Sequence, residues 1–453
     1  MPLALGLAAA ALLSACSGGG SSSPYNGSIG VSGPPAANVA SIIVDVGPNC
    51  TASEATTYHC TAGQPIGTAN IAFVTVNVCL PGTSTCQSID HVMVDTGSSG
   101  LRIMSSALGG GITLPAVQIN SQPLVECAQF ADGYTWGSVR TADVQVGGEI
   151  AKSVNVQVIG DSGATAPSSA TSCVDTNLPA LNDSYSFGAN GVLGVGLFIN
   201  DCLTGGTCPI GPGFYFSCSS STNCNEVAVP SNQQVSNPTA SLATDNTGVI
   251  VELPTVASGG STDVAGSLVF GINTQSNNAM SQAQTVYAAN SYTGNFFSTI
   301  NSVAVGPYTA ITTPWPNSFI DSGSNGIFLP GTTIPCDPTY GWFIPANTVS
   351  VPAIIQGELS TNPPATAIPA GTATSINFQI ANATSLSGTA FNDLGAPTAT
   401  CNSNGTGNGT SNAINGGIDW GLPLFFGKNV YVALETKTIT VMTTNYTGPF
   451  WAF

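Results

Sequence analysis

The residues best placed to do chemistry belong to a short sequence that occurs twice in the chain. Residues 93–101 read MVDTGSSGL and residues 319–327 read FIDSGSNGI, so that one Asp, two Gly and one Ser keep the same offsets. A repeat at such long range indicates two copies of one structural unit. Two carboxyl groups that share a site can divide into an acid and a base. Asp95 and Asp321 are therefore the candidate catalytic residues.

Each copy of this motif predicts a carboxyl group on a tight turn at the end of a buried strand. Two apolar residues precede each Asp, and an apolar residue follows each final Gly. One Asp-x-Gly-Ser sequence alone is more often a turn capped by its own Asp side chain. Two copies in matched surroundings instead favour two turns that face each other across one site.

The elements that must position these turns are strands. The chain of 453 residues contains 53 Gly and 30 Pro and shows no sustained helical periodicity. Apolar or alternating runs bounded by turn residues predict short strands, and the sequence therefore predicts an all-β protein. The runs that we assign to strands lead into Asp95 or lie within residues 71–78, 128–159, 190–196, 266–271, 299–306, 317–321, 429–434 and 438–442.

The chain is long enough for two domains of ordinary size. Residues 17–65 are rich in Gly, Pro, Ser and Ala, which predicts a flexible tether and an irregular N-terminal segment. The first Asp motif falls in a predicted N-terminal lobe, 66–240, and the second in a predicted C-terminal lobe, 241–453. We place the boundary where small polar residues cluster, at 236–247, and we expect an exposed loop at 402–415.

The charge balance argues against two classes of partner. Lys and Arg total 5 against 22 Asp and Glu, which gives a net charge of −17. Binding to nucleic acid depends on Lys and Arg at the phosphates, and electrostatic docking onto anionic lipid needs basic residues as well. The acidity fits a role in solubility alone, and it fits a secreted protein that works at low pH.

The first 16 residues resemble the signal peptide of a bacterial lipoprotein. Residues 3–13 form an apolar run that is too short to span a bilayer but fits a signal peptide. Residues 13–16 read LSAC and resemble a lipobox, in which Cys16 would be lipidated and become the mature N-terminus. We expect an exported protein of the cell envelope, in the periplasm or on the outer surface, with this anchor as its only membrane contact. An ordinary secretory peptide is the alternative.

The cysteines agree with export. The chain has 13 Cys, and an even 12 remain when Cys16 is set aside, which indicates disulfides in an oxidising compartment. No Cys-x-x-Cys occurs and only His59 and His91 could add imidazole, so we predict no metal site. The sequence leaves the connectivity open. The simplest hypothesis pairs neighbours in order, with Cys79–Cys86 as the best single pair because a Pro-Gly turn signal separates them.

Together these residues resemble the pepsin family of aspartic proteases. The two repeated turns match the two signatures of that family. Other family elements, including the flap hairpin at 130–137, are matched in order by residues 144–147, 192–194, 266–271 and 420–432. The resemblance covers about residues 68–453, and it implies a bilobal pepsin-like fold with two barrel-like lobes and a cleft between them.

The resemblance implies an aspartic endopeptidase that hydrolyses peptide bonds with a water activated between the two aspartates. One carboxylate would take a proton from the water while the other carboxyl group donates to the scissile carbonyl. Pepsin itself is the standard example of two carboxyl groups that share one proton. The partner would be an extended peptide or protein, bound as an added strand. The resemblance implies no cofactor, no metal and a monomer.

The resemblance also gives roles to neighbours of the pair. The threonine and serine after the two Asp residues would bind across between the loops, the glycines would allow the turns, and the serines would orient the carboxylates. The supporting residues are Thr96, Gly97, Ser98, Ser322, Gly323 and Ser324. The flap and substrate-binding residues are Phe130, Asp132, Gly133 and Tyr134.

Three positions depart from the family pattern. Phe130 stands where the flap usually has Tyr, although Tyr134 would supply a hydroxyl if the hairpin were shifted. Arg102 replaces a Trp that commonly follows the first motif, and we expect it to favour substrates with acidic side chains. Asp419 introduces a charge where an apolar residue is usual.

Two alternatives to this interpretation remain. Residues 160–163 read GDSG and resemble the serine loop of trypsin-like proteases, with His59 as a candidate partner, but His59 precedes the first convincing core strand. The other alternative is a catalytically silent surface protein that uses the pepsin fold to bind peptide or glycan.

Overall fold

The computed structural model describes residues 36–162, 166–174, 178–202, 206–300, 315–330, 333–358, 371–398, 401 and 417–453. The signal peptide with Cys16, the first part of the tether, the strand expected beyond Ile300 and the loop expected at 402–415 lie outside these residues. Among the described residues, no helix combines the length and the apolar character needed to cross a membrane.

Short strands make up most of the first half, as the sequence predicts. They are β1 Val39–Val44, β2 Ala72–Cys79, β3 Cys86–Asp95, β4 Ser99–Met104, β5 Gln118–Ile119, β6 Gln122–Gln129, β7 Tyr134–Val146, β8 Glu149–Ile159, β9 Gly191–Val195, β10 Tyr215–Ser220 and β11 Asn223–Glu226. The helices described in this half have one or two turns: α1 Ala52–Tyr58, α2 Ser105–Leu108, α3 Thr171–Val174, α4 Ser184–Phe187 and the 3-10 turns Ser231–Gln233 and Pro238–Ser241.

The second half is built in the same way. Its strands are β12 Gly248–Leu253, β13 Val264–Phe270, β14 Val286–Ala288, β15 Phe296–Ile300, β16 Trp315–Ile320, β17 Ile327–Leu329, β18 Val349–Gln356, β19 Ala373–Ile380, β20 Gly395–Pro397, β21 Asp419–Trp420, β22 Lys428–Ala433, β23 Thr438–Val441, β24 Thr444–Thr447 and β25 Phe450–Ala452. Its described helices are the 3-10 turns Ala383–Ser385 and Leu422–Leu424.

Each repeated motif lies in the same three-strand unit. In the first half β9 lies between β3 and β4, parallel to β3 and antiparallel to β4. In the second half β21 lies between β16 and β17 with the same directions. A further strand runs parallel to the last strand of each unit, β8 beside β4 and β20 beside β17. The sequence repeat is therefore a structural repeat, and the predicted all-β, bilobal pepsin-like fold is confirmed.

The sheet of the first lobe closes on itself. Strand β7 pairs with β8 on one side and with β2 on the other, so the path β2-β3-β9-β4-β8-β7 returns to its start. Alternate residues point inward on such strands, and the inward set fills the core with Val and Ile from β2, β3, β4, β7 and β8. The first Asp motif therefore starts from a rigid, close-packed barrel.

The prediction of an irregular segment over residues 17–65 is wrong for part of its described portion. Val39–Val44 forms β1, which pairs with β2 on one side and with β13 of the second half on the other. Ala40, Ile42 and Val44 are buried while the residues between them are less so. This alternation is the ordinary signature of a half-buried strand. One continuous sheet consequently joins the two halves through β1.

Six disulfides join the 12 cysteines in the described chain, and every pair links neighbours in order. The simplest pairing hypothesis is therefore confirmed. Cys79 and Cys86 face each other at the end of the β2–β3 hairpin, as the turn signal between them predicts. Because disulfides persist in oxidising compartments, the six bonds indicate an exported protein.

The two histidines and Asp161 of the Gly-Asp-Ser-Gly sequence, whose last residue lies outside the described residues, contact nearby structural groups. His59 caps the C-terminus of α1, and Asp161 accepts hydrogen bonds from Ser138 and Arg140. His91 lies on β3 between Asp45 and Asp90, with nitrogen–oxygen distances of 3.2 and 3.1 Å. Burial on its own would lower the pKa of His91, but these two carboxylates raise it to about 9.

Candidate active site

The two repeated aspartates end equivalent strands in the two halves. Asp95 is the last residue of β3, and Asp321 directly follows β16. Both are buried, with residue exposures of 2% and 1%. In each loop the backbone N–H two residues later donates to the Oδ1 atom, from Gly97 to Asp95 at 2.7 Å and from Gly323 to Asp321 at 2.8 Å. The turns therefore hold each carboxyl group through its own backbone.

A serine three residues after each aspartate contacts the other carboxyl oxygen. Ser98 Oγ donates to Asp95 Oδ2 at 2.5 Å, and Ser324 Oγ lies 2.9 Å from Asp321 Oδ2. Each carboxyl group is consequently held at both oxygens by groups of its own loop. Ser98 and Ser324, which the resemblance names as residues that orient the carboxylates, thus each lie within hydrogen-bond distance of the aspartate in their own loop.

The two loops are joined to each other by a symmetric set of hydrogen bonds. The Thr96 N–H donates to Ser322 Oγ at 3.1 Å, and the Ser322 N–H donates to Thr96 Oγ1 at 2.9 Å. Each hydroxyl then donates to a carbonyl of the opposite strand, at Ile320 and at Val94. Thr96 and Ser322 are buried, so backbone contacts fix the relative position of the two carboxyl groups.

The two carboxyl groups face each other at the contact between the loops. A methyl group added at Gly323 would lie 2.9 Å from Asp95 Oδ1 and 3.1 Å from Asp321 Oδ1, so a glycine is needed there. Burial, the charges of Asp95 and Asp419, and a hydrogen bond with Asp95 raise the pKa of Asp321 well above its usual value. Two like charges this close do not both ionise readily, so the pair retains a proton and can act as one acid and one base.

The segment that follows the middle strand of each three-strand unit donates a backbone hydrogen bond to the loop above it. Gly196 N–H donates to Ser98 O at 2.8 Å, and Leu422 N–H donates to Ser324 O at 2.7 Å. Side chains at Gly194 and Gly421 would collide with the loop above, with nearest atoms at 2.7 and 2.0 Å. The glycine of residues 192–194, one of the elements that resemble the pepsin family, is therefore required by close packing under the first motif.

A largely apolar pocket of about 190 Å³ opens beside the first loop. Its walls come from both halves of the chain, with Thr96–Ser99 and Phe130 on one side and Phe319 and Trp451 on the other. Apolar pockets with a few fixed polar groups are the usual form of a ligand site. The pocket is large enough to hold one amino-acid side chain.

The hairpin between β6 and β7 has the predicted flap position, but its residues have different environments. Phe130 lines the pocket and packs against Phe187. Tyr134 is buried in a separate cluster around Trp136, so it does not bring its ring to the pocket. A side chain at Gly133 would collide with Leu181 at 2.4 Å. The shifted hairpin in which Tyr134 replaces the family's tyrosine is therefore wrong for this structure.

Asp132 lies at the hairpin tip. We predict that Asp132→Asn increases the stability of the protein, and that the size of this gain depends on pH. Burial raises the pKa of Asp132 to about 7, and Oδ1 has no partner in the described part of the chain. The unfolded chain releases this proton near pH ~4, so the carboxyl group destabilises the fold increasingly between pH ~4 and pH ~7. We expect Asp132→Asn to raise the unfolding free energy by about 1–3 kcal/mol at pH 8, because some residual exposure reduces the full penalty.

Chemical unfolding at pH 8 and pH 3.5 measures this effect. At pH 3.5 both forms of the protein hold a neutral side chain at residue 132, so the two curves should coincide. Equal gains at both pH values would show that the amide acts through packing, and would contradict the assignment to a desolvated carboxyl group.

The expectation that Arg102 favours substrates with acidic side chains stays a prediction: Arg102 is among the residues that line the pocket, but two carboxylates already pair with its guanidinium group. Arg102 is only 3% exposed, and its guanidinium group contacts Glu126 Oε1 at 2.5 Å and Asp201 Oδ2 at 3.3 Å. Tyr215 donates to Asp201 at 2.7 Å and accepts from the Val235 N–H at 2.7 Å. The position that usually holds Trp thus anchors a buried charge cluster behind the first loop. Its partners are too distant in sequence for a local pattern to reveal them.

Comparisons with known proteins place the chain in a family. No curated protein matches it. Among solved structures it is similar to the crystal structure of aspartic proteinase from Irpex lacteus, with 16% sequence identity, a TM-score of 0.42, and coverage of 84% of this chain and 93% of that chain. Because this similarity is low, the fold is assigned from the strand order and the loop contacts of this chain itself. A family model described as "Protein of unknown function (DUF3443)" matches residues 49–453. Because that match spans most of the chain, the protein belongs to this family.

Proposed function

We propose that the protein is an exported aspartic endopeptidase. The observation that carries this proposal is the pair of buried carboxyl groups, Asp95 and Asp321, on two symmetric loops that exchange hydrogen bonds through Thr96 and Ser322. A structural turn needs only its own Asp cap. Two such turns that press their carboxyl groups together cost stability, and this cost is typical of a site arranged for acid–base chemistry.

The reaction would proceed by general acid–base hydrolysis. A water between the two carboxyl groups loses a proton to the ionised member and attacks the scissile carbonyl carbon, while the protonated member donates to the carbonyl oxygen. The proton taken from water then passes to the leaving amine as the carbon–nitrogen bond breaks. The pair would hold one proton between its two carboxyl groups, since burial and neighbouring carboxylates raise the pKa of Asp321, which shares a hydrogen bond with Asp95.

The substrate would be an extended peptide or protein segment. The pocket beside Thr96 lies between the flap residue Phe130 and Trp451 of the second half, and its lining is mostly apolar. A peptide that crosses the loops as an added strand would place alternate side chains on one side. We therefore expect an apolar side chain next to the cleaved bond. We further propose that Cys16, if lipidated, anchors the enzyme in the cell envelope as a monomer.

A peptide library tests the proposal directly. The protein without residues 1–16, with its disulfides intact, is incubated with a diverse library from pH 3 to 7, with and without a statine-type inhibitor that mimics the hydrated peptide bond. We expect cleavage on the acidic side of this range, loss of all cleavage with the inhibitor, and apolar residues enriched at the cut. Absence of cleavage at every pH by folded protein would favour a protein that binds peptide or glycan without turnover.

A further inference from the structure

A third carboxyl group lies under the second catalytic loop. Asp419 is on β21, opposite Phe319 of β16 and Phe328 of β17, and it is fully buried. Its Oδ2 atom lies 2.6 Å from Ser324 Oγ, which also lies 2.9 Å from Asp321 Oδ2. One serine hydroxyl therefore bridges two carboxyl groups, one in the proposed pair and one outside it.

The hydrogen count at this bridge requires a protonated carboxyl group. A serine hydroxyl has one hydrogen to donate and two lone pairs to accept with. Two ionised carboxylates would both need that hydrogen, and one of the two short contacts would then be a repulsion between oxygens. Either Asp321 or Asp419 must consequently donate to Ser324 Oγ.

The surroundings of the two carboxyl groups decide which one donates. Asp321 receives the Gly323 N–H on Oδ1, in addition to the contact with Ser324 on Oδ2. Asp419 Oδ1 is buried and has no hydrogen-bond partner in the described chain. An ionised Asp419 would bury a charged oxygen without a hydrogen-bond partner, which costs several kcal/mol of free energy. A protonated Asp419 leaves only a neutral carbonyl oxygen without a partner, and the free-energy cost is smaller.

The charged groups around Asp419 also favour its protonated form. Burial, and to a lesser extent the charge of Asp95, raise its pKa well above the usual value, against an opposing effect of Ser324. An ionised Asp419 would in turn raise the pKa of Asp321. None of the ion pairs between described residues includes Asp419, and no acidic or imidazole cluster among those residues is arranged to hold a metal. The groups that face Asp419 are thus a hydroxyl and two carboxyl groups.

We propose that Asp419 is a protonated positioning residue, which donates from Oδ2 to Ser324 Oγ and thereby directs the single Ser324 hydrogen to Asp321. This inference rests on the proposed function, since its kinetic consequence appears only in a peptidase. Asp419 then donates a hydrogen bond to Ser324, and Ser324 donates one to Asp321. Ionisation of Asp419 would reverse the Ser324 hydroxyl and add a negative charge beside the pair.

Infrared spectroscopy tests the protonation state without any need for activity. The difference spectrum between wild type and Asp419→Asn is recorded at pH 6, with the exposed Asp263→Asn as the matched control. We expect Asp419→Asn to lose the C=O band of a protonated carboxyl group, whereas Asp263→Asn loses carboxylate bands. Carboxylate bands lost in both variants would overturn the proposal. If Asp419→Asn does not fold, Ser324→Ala should instead shift the protonated C=O band to higher frequency, and an unshifted spectrum would overturn it.

Steady-state kinetics test the positioning role. The amide of Asp419→Asn can donate to Ser324 as the acid does, so we expect kcat within about threefold of wild type. Asp419→Leu removes the group that donates to Ser324, so the Ser324 hydrogen is no longer directed to Asp321. We expect kcat to fall about tenfold with KM unchanged. Equal damage by Asn and Leu, or full activity with Leu, would contradict the role.

The two measurements separate this inference from the proposed function. A wild-type protein that cleaves nothing, yet shows the protonated carboxyl band, would refute the peptidase and keep the protonation of Asp419. A wild-type protein that cleaves peptides but whose Asp419→Asn spectrum loses carboxylate bands would keep the peptidase and refute the inference.

Discussion

Asp95→Asn and Asp321→Asn should each lower turnover of a cleavable peptide by about 10⁴-fold while the protein stays folded. An amide keeps the shape of the carboxyl group but can neither take a proton from water nor give one to the scissile carbonyl. The two loops exchange hydrogen bonds through Thr96 and Ser322 rather than through the aspartates. The site should therefore keep its geometry, and the inhibitor should still bind weakly.

Asp321→Asn should also increase stability at neutral pH. The pKa of Asp321 is raised in the folded state, so the folded protein binds a proton that the unfolded chain releases near pH ~4. Stability that depends on this proton is present at low pH and is lost as the pH rises. Asp321→Asn cannot ionise, so its unfolding free energy should exceed that of wild type at pH 7 and match it near pH 3.

Peptide turnover and urea unfolding, both measured at several pH values, check these two expectations together. The exposed Asp263→Asn is the matched control and should change neither quantity. Loss of activity together with loss of stability would indicate that the variants only damage the fold. Retained turnover in either variant would refute the assignment of the pair, whatever the library result.

The sequence predicts the pair well because the chemistry of each motif is local. The offsets from Asp95 to Gly97 and Ser98 determine which groups can reach the carboxyl group, and the structure places both within hydrogen-bond distance of it. The repeat also carries topological information, since the same turn needs the same strand pair around it. The second strand unit around Asp321 follows from that requirement.

Features that depend on distant partners were not predictable in this way. Asp419 is recognisable in the sequence only as a departure from a pattern, because its partner Ser324 is 95 residues away. Strand β1 lies among Gly- and Pro-rich residues, and its pairing with β2 and with the distant β13 distinguishes it from a loop. The ion pairs of Arg102 are not evident from the sequence, because neither Glu126 nor Asp201 is near it in the chain.

The features that the sequence does not reveal share a physical cause. Only 6% of the residues are charged, and a buried charge is stable only when a partner is brought to it by the fold. In a chain with so few charges, those in the core reflect tertiary contacts rather than a solvated surface. The buried ion pair of Arg102 and Glu126 is therefore a position at which substitution should have a large structural effect.

Arg102→Met should lower the unfolding free energy at pH 7 by about 3–5 kcal/mol, because Glu126 and Asp201 would remain buried without a cation. Arg140→Met is the matched control, since Arg140 pairs with Asp161 at a partly exposed position and should cost less than about 1 kcal/mol. Urea unfolding at pH 7 measures both changes.

Lower pH should reduce the Arg102 effect but not the Arg140 effect. Burial and the charge of Glu126 already raise the pKa of Asp201 well above its usual value, and removal of the guanidinium group would raise it further. At pH 4 the orphaned Asp201 becomes neutral, so the cost of its buried charge disappears. Adding Glu126→Gln to Arg102→Met should restore part of the stability at pH 7 for the same reason. Equal losses for the two arginines, or a loss that does not change with pH, would show that Arg102 acts through its packing and that the charge cluster does not determine the stability of the first loop.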